Sequence, residues 1–114
     1  TMTPDKPFFL YCSFGATHAP HHVGQEWIDK YKGKFDKGWD AVREETLANM
    51  KAKGVVPQDT ELTGRPEGVE AWEDLNDTQK MVYARLMETY AGFAEHTLSN
   101  LLDILPQKPA TVSN

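Results

Sequence analysis

Hydrophobic positions fall in three arrangements along this chain, and each predicts a different element. From Pro7 to Gly15 the residues are almost all aromatic or aliphatic. A continuous run of that kind fits a strand covered on both faces, so a short strand is expected at 7–14. After a loop rich in His and Pro, Gln25 to Tyr31 reads as a short helix. A second helix starts at an acidic cap, Asp36 or Asp40, carries Trp39, Val42, Thr46 and Met50 on one side, and stops at Gly54. Residues 55–68 hold Pro57, Gly64, Pro66 and Gly68 and read as loop. The last element carries the most regular pattern. Asn76 and Gln79 have the spacing of a capping box, and Val82, Leu86, Tyr90, Phe93, Thr97, Leu101 and Ile104 step alternately by four and three. This predicts a helix from 77 to 105 with that stripe in the core, Glu88, Glu95 and His96 on a solvated face, and Gly92 as a point where the helix can bend.

The expected fold class is therefore mainly α. It is a single domain over 1–105 with a long C-terminal helix, at most one or two short strands at 7–14, and a flexible tail at 106–114 after Pro106. Such a strand needs edge partners, and a straight 29-residue helix is about 44 Å long, longer than a compact chain of this size is wide. Both deficits are relieved by pairing two copies, so a homo-oligomer, most simply a dimer, is expected.

Composition narrows the classes of partner. The chain has 114 residues, 39% of them apolar, with three Trp, five Phe and four Tyr, which is too aromatic for a disordered segment. Its net charge of −5, with both signs interspersed, leaves no basic face for a phosphate backbone, and nucleic acid is not an expected partner. No apolar run reaches the length of a membrane-spanning helix, and no membrane partner is expected. The single cysteine, Cys12, lies inside the apolar run and reads as a small buried hydrophobe. His18, His21 and His22 cluster after the run. Three nitrogens fall short of the four ligands of a closed structural metal site, and no metal is assigned to them.

At this point the residues resemble a family. Pro7-Phe8-Phe9-Leu10-Tyr11, Phe14-Gly15-Ala16-Thr17-His18-Ala19-Pro20, Glu26-Trp27-Ile28-Asp29-Lys30-Tyr31-Lys32-Gly33-Lys34-Phe35-Asp36-Lys37-Gly38-Trp39, Arg43-Glu44-Glu45-Thr46-Leu47, Arg65-Pro66-Glu67-Gly68, Trp72 and Val82 through Thr97 follow one another as in an internal segment of bacterial type I, formylglycine-dependent arylsulfatases. The resemblance implies a role for His18. The family's histidine at this place ends a strand, where α/β sheets put their ligands, and donates to the sulfate ester or its leaving oxygen. His21 and His22 receive no role from it, and a solvated loop is expected for both.

The resemblance also implies parts that these residues do not supply. The family nucleophile is a cysteine in a Cys-x-Pro-Ser-Arg or Cys-x-Ala-x-Arg motif that is converted to formylglycine. Cys12 is followed instead by Ser13-Phe14-Gly15-Ala16. Calcium is held in the complete family enzyme by Asp and Asn residues from other segments, so no cofactor is expected on this chain itself. After Glu95-His96-Thr97 the family continues with Asp, whereas Leu98 stands here, and a junction is expected at that point. Two functions from different classes follow. One is an arylsulfatase-like fragment whose family reaction is hydrolysis of a small sulfate ester but which is inactive alone. The other is a free-standing, non-catalytic helical module that oligomerises or binds a partner.

Overall fold

The structure, a computed structural model, describes residues 7, 9 and 11–104. Three helices and one short 3-10 turn follow in order: α1 Gln25–Asp29, α2 Gly38–Ala52, the turn Trp72–Asp74, and α3 Asp77–Ile104. Among the described residues there is no strand. The run expected as a strand has no regular structure at its described positions, and Phe9, Tyr11 and Phe14 stand exposed. Cys12 is exposed with them, contrary to its reading as a buried hydrophobe. The physical reason is the one that made the strand conditional: no second strand lies beside it to take its backbone hydrogen bonds. Residues 8, 10 and 105 and the tail 106–114 lie outside the described residues.

A local signal decides where α3 begins. Asn76 and Gln79 form the reciprocal cap: Gln79 N donates to the Asn76 side-chain oxygen and Asn76 N donates to the Gln79 side chain, both at 2.9 Å. Neither acidic candidate caps α2. Its N-terminal flank is Lys37 with no side-chain cap, and Asp40 is used across the chain, accepting from Trp72 N at 2.9 Å and from Arg65 Nε at 3.2 Å. Gly38 opens α2 at φ 81°, and a Cβ there would run into the Trp72 indole, so both backbone and packing demand glycine. The stop at Gly54 holds: α2 ends at Ala52 and Gly54 has φ 67°.

The core is small and lies on the side of α3 that the apolar stripe does not occupy. Trp72, Leu75 and Ala84 are its buried hydrophobics, with Phe35 and Trp39 packed against them. Trp39 meets Trp72 edge-on at 4.9 Å and Tyr83 at 5.4 Å. The ridge that carries the packing is Ala84, Glu88 and Gly92, all buried. At Gly92 α1 comes so close that a Cβ would lie 2.9 Å from the Trp27 carbonyl. Small residues let the helices approach, whereas Val82, Leu86 and Tyr90 stand 46%, 51% and 50% exposed. The expected polarity of α3 is therefore reversed over its first half. Glu88, expected on a solvated face, is 5% exposed. No helix among the described residues is long and apolar enough to cross a membrane.

Candidate functional site

His18 sits in a turn that leads from the apolar run into α1. Its backbone N–H donates to the Gly15 carbonyl at 2.9 Å, which closes the turn and turns the side chain outward. The ring is exposed, and Nδ1 lies 2.6 Å from the Ala19 carbonyl oxygen. A carbonyl only accepts, so Nδ1 carries a proton and donates it there. Nε2 has no hydrogen-bond partner among the described residues. A neutral ring thus offers Nε2 as an acceptor, and a protonated ring offers it as a donor while Nδ1–H stays in place. That is the arrangement needed to give a hydrogen bond or a proton to an oxygen that gains charge.

His21 is not the solvated loop residue expected from the sequence. It is half-buried, its Nε2–H donates to the Thr17 carbonyl at 3.1 Å, and its ring packs edge-on against Tyr90 at 5.6 Å and beside Phe93 at 6.1 Å. The signal that could have found it is the aromatic pair Tyr90 and Phe93, three residues apart on one helix face, which needs a cover. His22 is exposed. Among the described residues no group of three or more His, Cys, Asp or Glu could hold a metal ion. The calcium that the family resemblance implies finds no such group among the described residues.

Carboxylates gather elsewhere. An open cleft of about 1050 Å³ between α1, the following turn and α3 is lined by Asp29, Gly33, Trp72, Lys80, Arg85 and Glu88 among others, and His18 is not part of its wall. Glu88 is already committed there, accepting from Gly33 N at 2.7 Å and from Arg85 Nη1 at 2.7 Å. A second network ties α1 to α3. Lys30 donates to Glu95 at 2.8 Å and lies 3.7 Å above the Trp27 ring, which in turn rests 5.0 Å from His96. The Lys30 hydrogen bond, with one from the Tyr31 hydroxyl, holds the Glu95 carboxyl below its ordinary pKa, while burial and the same carboxylate push Tyr31 up. Asp40 is held low, first by the Trp72 N–H and then by Arg65. These are hydrogen-bonded braces that fix the helices, and none faces His18.

The exposed histidine on a turn braced against a long helix belongs to a sequence that the sulfatase family model matches over residues 1–109. The chain belongs to the sulfatase family. An arylsulfatase of Klebsiella aerogenes is 30% identical over 106 residues, covering 90% of this chain and 23% of that protein. An uncharacterised sulfatase of Schizosaccharomyces pombe is 34% identical over 93 residues, covering 79% of this chain and 16% of that protein. The chain thus spans less than a quarter of the length of either relative.

Proposed function

We propose that these residues are the segment of an arylsulfatase that carries its sulfate-side proton donor, His18, and that the segment hydrolyses sulfate esters only together with the other sulfatase segments. The observation that carries this reading is the His18 ring itself: Nδ1–H fixed on a backbone carbonyl, Nε2 open to solvent. Support comes from a family match that includes the loop around it. The ester oxygen gains negative charge as the S–O bond breaks, and an Nε2–H placed on it stabilises that charge. Nucleophile and calcium are expected from segments that these 114 residues do not match, so the chain alone is expected to leave an aryl sulfate unhydrolysed.

The outward stripe on α3 supports the same reading, because Val82 and Leu86 stand about half exposed and Tyr90 keeps half of its surface open beside His21. In the whole enzyme they would face the rest of the sulfatase polypeptide. In the isolated chain a second copy is the expected cover, which is also how a free-standing oligomerisation module would behave. The deciding experiment replaces the matched segment of the Klebsiella aerogenes arylsulfatase with this chain and follows hydrolysis of an aryl sulfate. His18→Ala should lower kcat of that chimera by about 10²-fold or more. Turnover indifferent to His18→Ala, or turnover by the isolated chain that survives it, would overturn the assignment.

A further inference from the structure

We infer that His21 is a positioning residue for His18, holding the loop that presents the sulfate-side ring against α3; this rests on the role proposed for His18. The loop between Gly15 and Gly24 contains no helix or strand that could fix it. The His21 side chain ties it both to itself and to α3. His21 donates from Nε2 to the carbonyl of Thr17, the residue immediately before His18, at 3.1 Å. The same ring is seated on α3 by its contacts with Tyr90 and Phe93. The Thr17 carbonyl is thus pinned from one side while His18 projects from the next residue, and the Ala19 carbonyl that accepts His18 Nδ1–H follows on the same turn. An imidazole suits the task because one edge can donate to a carbonyl while its faces and other edges pack on aromatic rings. The carbonyls also fix both tautomers, Nε2–H for His21 and Nδ1–H for His18, since neither carbonyl can donate. Freeing the loop would let the His18 ring leave the Ala19 carbonyl, after which its Nε2 no longer faces out as the sole open nitrogen. Misplacing a reacting group by about 1 Å can cost about 10²-fold in rate.

The test reads ring tautomers in the full chain without substrate, by long-range ¹H–¹⁵N correlation of the histidine side chains at a pH where the rings are neutral. In the unsubstituted chain, His21 should report Nε2–H and His18 Nδ1–H. His21→Leu keeps an apolar cover for Tyr90 and Phe93 but removes the donor, and should convert His18 to a mixture of tautomers. His21→Gln restores an amide donor at similar reach and should return His18 to Nδ1–H. His21 in the Nδ1–H form in the unsubstituted chain would overturn the inference with no variant needed. So would a His18 tautomer untouched by His21→Leu, or one lost equally in the Leu and Gln variants. Because no turnover is measured, failure here is distinct from failure of the sulfate-donor role, which the chimera reads through His18→Ala.

Discussion

Glu88 replaces water at the Gly33 N–H and holds Arg85 from within the packed ridge. Truncating it removes both hydrogen bonds and opens space beside Ala84, so Glu88→Ala should destabilise the fold by about 1–2 kcal/mol, read as a lower midpoint in urea. A loss no larger than that of Glu67→Ala, on an exposed loop residue, would show the brace to be idle. Asp40 and Glu95 set the acid limit. Their folded pKa values are depressed, so the stability they contribute is present above the ordinary carboxylate range and lost as pH falls through the lower, folded values. Tyr31 works in the opposite sense: its pKa is raised, so its contribution is present below the ordinary tyrosine value and lost as pH rises above it. Thermal midpoints should therefore be level near neutrality and fall below about pH 4 and above about pH 10. Replacing Asp40 by Asn should flatten part of the acid limb.

Elements set by local chemistry were legible in the sequence, and those set by distant partners were not. The capping box at Asn76 and Gln79 and the stop at Gly54 need only their neighbours, and both stand where the pattern put them. The helix expected at 25–31 ends at Asp29 and continues as turns. The cap expected from Asp36 or Asp40 failed because Asp40 found the Trp72 N–H, an interaction between residues 32 apart that no local pattern encodes. The stripe of α3 is a true stripe, but over its first half it faces outward and not into the core. Periodicity reports which residues share a face, not which face the chain itself covers. For the site, His18 was legible through the resemblance alone, whereas the work of His21 depends on a loop folding back onto Tyr90 and Phe93.

At the scale of the molecule the shape is open. The radius of gyration is 19.1 Å and the extents are 57 × 37 × 30 Å, whereas a compact chain of this length would have a radius near 13 Å. Core residues are few and outward apolar residues many, which is the balance of a part and not of a self-sufficient domain. Sedimentation of the isolated chain should show association that weakens when Val82 and Leu86 are both changed to Lys, with helicity largely kept because each side chain stands about half exposed. A monomer that keeps its present dimensions at high concentration would count against the exposed stripe as an adhesive face.

The same openness has a consequence for the lifetime of the chain. Phe9, Tyr11 and Phe14 lie on backbone without regular structure, 90%, 81% and 43% exposed. Aromatic side chains on backbone free of secondary structure are what digestive endopeptidases with deep apolar pockets accept. The segment that leads to His18 is therefore the place where a protease would cut first, and a single nick there would separate the aromatic run from the histidine loop while leaving α3 and its braces intact.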